Sequence, residues 1–125
     1  WTAAQTFSGN VNIVNLAISA TAPTVASGAG CGTSPSIVSN GTAAFQLTIG
    51  TTPTIAACVV TMPTAATGWA CSVTDIGPTA IGTTNFLQRQ TASTTTSISI
   101  GNMTTAGALQ ALIAGDKYAI SCHAY

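Results

Sequence analysis

From residue 31 onward, apolar side chains recur at alternate positions in short runs broken by clusters of Gly, Pro and Thr. The runs begin roughly every 10 to 14 residues, the spacing of all-β sandwiches and barrels. Phe45, Leu47 and Ile49 alternate before Gly50, and Ile98 and Ile100 alternate before Gly101–Asn102, a turn signal. Trp69, Cys71 and Val73 share one side of a strand that follows Thr67–Gly68. Gly77–Pro78 then breaks the chain before a strand over Asn85–Gln90 that contains Phe86. The clearest run is the last, with Tyr118, Ile120, Cys122 and Ala124 on one face after Gly115–Asp116. Between Pro53 and Pro63 the pattern is that of a central strand, Ile55–Met62, apolar on both faces: Cys58, Val60 and Met62 on one, Ile55, Ala57 and Val59 on the other. Only Ala106–Ala114 competes as helix, with Leu109, Leu112 and Ile113 at helical spacing. So short a stretch with Gly107 inside it makes a single turn or a loop.

Residues 1–30 differ from the rest in carrying neither charge nor cysteine. Val11, Ile13 and Leu16 give a short alternation interrupted at Val14 and flanked by Gly9 and Asn10, a strand signal that cannot bury itself alone. The small-residue run from Ala22 to Gly30 reads as a linker. Two parts are therefore expected: an extended β-structured segment with its linker over 1–30, and an antiparallel, jelly-roll-like β-sandwich over 31–125.

Composition reinforces this all-β reading. Thr (23) and Ala (22) dominate the 125 residues, and Glu is absent. The charged side chains are Asp75, Asp116, Arg89 and Lys117, where a soluble domain of this length would carry about 30. A net charge of zero provides no field to steer nucleic acid, an anionic membrane surface or a charged substrate. Hydrophobic residues make up 46%, yet no apolar run approaches the roughly 18 residues of a spanning helix. No signal-peptide pattern opens the chain, and a first residue other than Met suits a piece of a longer protein.

Four cysteines allow three disulfide connectivities. In strand geometry Cys71 shares a face with Trp69, and Cys122 shares one with Tyr118, which points both cysteines at the core. A Cys71–Cys122 bridge would close a loop of about 50 residues and remove roughly 4 kcal/mol of unfolded-state entropy. Cys31 and Cys58 then pair by elimination, and the protein belongs outside a reducing cytosol. Four free, buried thiols are the alternative. Zinc is disfavoured, because the only close donor pair, Cys122 and His123, points to opposite faces of a strand.

Candidate chemistry is sparse. His123, the only histidine, would be the natural general base, but it lacks a nucleophile motif and is expected to face solvent or a subunit contact. Asp75 and Asp116 would form a glycosidase pair only at the right separation, and each has a simpler use in a turn. Gly28, Gly30 and Gly32 lack the Lys and the strand-to-helix junction of a phosphate loop and read as a flexible joint. The sequons at Asn40 and Asn102 double as turn signals. No catalytic residue, cofactor or metal is assigned. A surface of Thr, Ser, Asn and Gln suits neutral hydroxylated partners such as sugars, with an exposed aromatic to stack on them. Trp1, Trp69, Tyr118 and Tyr125 are the candidates; Trp69 and Tyr118 are expected in the core, leaving Tyr125, with His123 beside it, for surface recognition. The same neutral surface suits packing against identical chains.

The opening Trp1-Thr2-Ala3-Ala4-Gln5-Thr6-Phe7-Ser8-Gly9-Asn10 resembles the repeated Trp-Thr-x-x-Gln-Thr-Phe units of bacteriophage tail fibres, where they lie in trimeric β-structured shafts. Gly30-Cys31-Gly32-Thr33-Ser34-Pro35-Ser36, Cys58–Pro63, Gly68-Trp69-Ala70-Cys71, Gln90–Ser97, Gly115-Asp116 and Tyr118–Tyr125 resemble the small β-domain that ends phage fibres and other virion appendages. The resemblance implies a non-enzymatic structural protein of the virion. It would be a homotrimer whose terminal domain meets a host cell-surface glycan or other phage structural proteins. Head decoration without receptor binding, or a filament or adhesin subunit joined by strand donation, are the alternative roles.

Overall fold

A chain in which β-branched and small polar residues alternate buries one side of a strand at every second residue. In the computed structural model, which describes residues 21–39, 41, 44–77 and 87–125, such stretches form β1 (Thr24–Val25), β2 (Ser36–Ser39), β3 (Ala44–Thr48), β4 (Cys58–Thr61), β5 (Trp69–Asp75), β6 (Leu87–Ser93), β7 (Ser97–Met103), β8 (Leu109–Gln110) and β9 (Lys117–Ala124). No helix occurs among the described residues. The expected shaft segment with Trp1, Val11, Ile13 and Leu16, the Asn40 sequon, Pro78 and Phe86 lie outside the described residues.

The strands make an antiparallel β-sandwich. One sheet has the order β1-β4-β7-β6, with β8 alongside β7; the other has the order β2-β3-β9-β5. Register carries the apolar positions inward together: Leu47 lies opposite Tyr118 and Phe45 opposite Ile120, while Val60 lies opposite Ile98 and Cys58 opposite Ile100. Leu47, Ile49, Val60, Ile98, Ile100, Tyr118 and Ile120 are at most 2% exposed. Burying each such side chain is worth about 1.5–3 kcal/mol.

Several local readings change. The Ile55–Met62 strand is shorter and buried on one face only, leaving Val59 and Ile55 half or more exposed; β4 lies between β1 and β7, with Ala26–Cys31 beside its outward Val59 and Thr61. The chain does not turn at Gly101–Asn102. β7 runs through both, because Asn102 is wholly buried and bound: its Oδ1 accepts from Gln88 Nε2 at 3.0 Å and its Nδ2 donates to the Ala111 carbonyl at 3.0 Å. That burial also removes Asn102 as a glycosylation acceptor. The turn comes at Thr104–Ala108, with Gly107 at a φ of 82°. Ala106–Ala114, the helix competitor, holds this turn's end, β8 and the buried Leu112. The Asn85–Gln90 strand runs on to Ser93 as β6.

The run from Ala22 to Gly30, read as a linker, belongs to the sandwich. Thr24 and Val25 pair with Thr61 and Val60, the Ala29 carbonyl accepts from Thr54 N at 2.8 Å, and Pro23 and Gly30 are buried. Gly28 and Gly32 bridge to each other instead of forming a free joint. The sandwich therefore starts upstream of residue 31.

Three links reinforce the strands and their edges. Cys31–Cys58 ties the connection between β1 and β2 to β4, and Cys71–Cys122 joins residues directly opposite on β5 and β9. At the remaining edge β6 approaches β5 without a regular ladder. There Gln90, half-buried, uses its side-chain amide as a surrogate peptide: Oε1 accepts from Cys71 N at 2.6 Å and Nε2 donates to the Trp69 carbonyl at 2.7 Å. Ser93 Oγ accepts from Trp69 N at 2.8 Å.

Two outcomes are expected. The double variants Cys71→Ala/Cys122→Ala and Cys31→Ala/Cys58→Ala, which open separations of 51 and 27 residues, lose about 4 and about 3.5 kcal/mol respectively on the chain-entropy relation, read by urea unfolding. Gln90→Glu, which keeps the shape but replaces a donor with an acceptor facing the Trp69 carbonyl, destabilises by about 1–3 kcal/mol in the same assay.

Candidate functional site

Strand direction gives the sandwich two distinct ends. Thr24 lies opposite Thr61, Thr61 opposite Ser97, and Trp69 opposite Ala124, so the start of β1 and the C-terminal Tyr125 share one end. Leu87 opposite Met103, Thr48 opposite Lys117, and the Thr104–Ala108 turn mark the other.

Tyr125 and His123 therefore stand at the end where the chain enters at Thr21. His123 is exposed on β9 opposite Ala70. Tyr125, 58% exposed, exchanges backbone hydrogen bonds with Gly68, and its ring lies over that glycine: a Cβ there would be 2.9 Å from the tyrosine Oη and 3.2 Å from Ser93 Oγ. Trp69 and Tyr118 sit in the core, the indole Nε1 donating to the Pro63 carbonyl at 3.0 Å.

The two acids do not meet in a cleft. Asp116 is wholly buried; Tyr118 Oη donates to its Oδ2 at 3.2 Å, while its Oδ1 has no hydrogen-bond partner among the described residues and abuts Gly77, whose missing side chain makes that approach feasible. Asp75 accepts from Gly77 N at 2.9 Å, an Asx-type turn on the strand end. This geometry suits a structural clamp on the β5–β9 end, not a pair of carboxyls flanking a bond. Burial, and after it the Asp116 and Asp75 carboxyls, hold the Tyr118 phenol above the usual tyrosine range. All four cysteine sulfurs are consumed in bridges, and no group of three metal-ligating side chains converges among the described residues.

Concavities among the described residues include the following three. One of about 360 Å³ runs along the β5–β6 edge over Gln90 and Ser93, and one of about 350 Å³ lies between Ala26–Cys31 and β4. The third, of about 340 Å³, is at the end away from Tyr125 and is lined by Leu87, Arg89, Met103, Thr104, Thr105 and Gly107. Sequence reasoning passed over these residues. The available signal was an arginine in a nearly charge-free chain, two residues after Leu87 and so on the same face of the strand.

Tyr118→Phe is expected to cost about 2 kcal/mol near neutral pH, since Asp116 loses the phenolic donor on its Oδ2. The folded phenol ionises at higher pH than an unfolded tyrosine, whose value is about 10. Native stability should therefore fall as pH rises above that value, because only the unfolded chain releases the proton there. Tyr118→Phe should flatten this slope in unfolding experiments between pH 8 and about 11.

The chain matches no protein-family model, no curated protein and no solved structure.

Proposed function

We propose that this chain is a non-enzymatic structural module of a bacteriophage particle. In this reading it is the terminal β-domain of a fibre, assembled as a homotrimer through the segment preceding the sandwich and used to contact saccharides on the host cell surface. The observation that carries the reading is the resemblance of residues 1–10 to fibre-shaft units, joined to a neutral, doubly bridged β-sandwich whose chain enters at one end. A domain mounted on a shaft needs that arrangement, because it leaves the far end for contact. A near absence of charge supports self-association, since little ionic surface has to be desolvated between copies.

Sedimentation of the full chain at micromolar concentration is expected to give a trimer, and removal of residues 1–16 a folded monomer. The fluorescently labelled trimer is expected to bind bacterial cells of a susceptible type. A stable monomer of the full chain would sink the fibre reading. A trimer that binds no cell in a broad bacterial panel favours head decoration, and a full-length polymer that falls to monomer on truncation favours strand donation.

A further inference from the structure

We infer that the cleft at the far end of the sandwich is a binding site for an acidic saccharide, with Arg89 holding its carboxylate; the identification of the ligand as a saccharide rests on the proposed attachment role. The cleft's volume of about 340 Å³ falls within the range of small-ligand sites, about 300–1,000 Å³. Its wall is apolar where Leu87, more than half exposed, lies opposite Met103 on β7.

Charge selects the occupant. Arg89 is exposed and its guanidinium has no carboxylate partner among the described residues. The chain's two side-chain carboxyls are committed elsewhere, Asp116 buried against Tyr118 and Asp75 in its turn with Gly77. A planar cation without a partner, beside an apolar wall, fits an oxyanion carried on a compact body with a C–H face. Hydroxyl groups complete the match. Thr104 Oγ1 accepts from Ala108 N at 3.0 Å and retains its proton for donation, while Thr105 is exposed at the rim. A pyranose bearing a carboxylate offers all three: an anion for the guanidinium, a C–H face for Leu87 and Met103, and hydroxyls for the threonines.

The location agrees with this assignment. The cleft lies at the opposite end from Thr24 and Tyr125. Tyr125 and His123, which the residue pattern favours for recognition, are at the end nearest the incoming chain.

The test is an amide-shift titration of the isotopically labelled full chain with sodium D-glucuronate, D-glucose and sodium acetate. Glucuronate is expected to give saturable shifts centred on Leu87, Arg89, Met103, Thr104 and Gly107, with binding at least tenfold tighter than for glucose or acetate. Arg89→Gln should weaken glucuronate at least tenfold, and Arg89→Lys, which keeps charge but loses the planar fork, should fall between; unchanged spectra elsewhere verify folding. Equal response to glucose, shifts confined to Tyr125 and His123, or undiminished binding by Arg89→Gln would overturn the assignment. Failure of the cleft with cell binding intact leaves the attachment role standing. Glucuronate binding by a chain that is monomeric and binds no cell leaves the site and removes that role.

Discussion

Every strand at the edge of a sheet carries backbone donors and acceptors that need partners, and this chain has almost no charged side chains with which to guard them. The structure meets that constraint with neutral groups. At one edge the β1–β2 connection is held by Cys31–Cys58 and by the Gly28–Gly32 bridge. At the other, the Gln90 amide stands in for a peptide unit of a missing strand neighbour and the Ser93 hydroxyl takes the next position. Leu47, Ile49, Ile98, Ile100, Tyr118 and Ile120 fill the space between the two sheets.

That closure also sets the geometry of both ends. Because β6 must present Gln90 and Ser93 to β5, its outward residues Leu87 and Arg89 fall beyond the bridged edge, next to the Thr104–Ala108 turn. The register slip between Gln90 and Ala92 lets the strand satisfy both demands, leaving Thr91 as the extra residue. The position of the far-end cleft thus follows from how the sandwich is shut. At this same end Asp116, the one charged side chain buried outright, clamps the start of β9 through the Tyr118 hydroxyl.

The inward alternations of Phe45, Leu47 and Ile49, of Ile98 and Ile100, and of Tyr118, Ile120 and Cys122 were legible because period-two burial is written directly into residue order. Local signals failed where tertiary partners outweighed them. Gly101–Asn102 looks like a turn until Gln88 and the Ala111 carbonyl claim the asparagine side chain. Ala22–Gly30 looks like a linker until Val25 finds Val60, and Ile55–Met62 looks doubly covered because sequence does not reveal that the outer face of β4 stays half-exposed.

Residue order by itself determined an all-β chain, the faces of its main strands and the scarcity of charge, since each follows from composition or from near-neighbour periodicity. Tertiary structure alone decided which end of the sandwich holds Tyr125 and which holds Arg89, and that Gln90 would complete the edge of β5. Those facts depend on pairings between residues far apart in the chain, such as Trp69 with Ala124 and Leu87 with Met103, whose register no local pattern encodes.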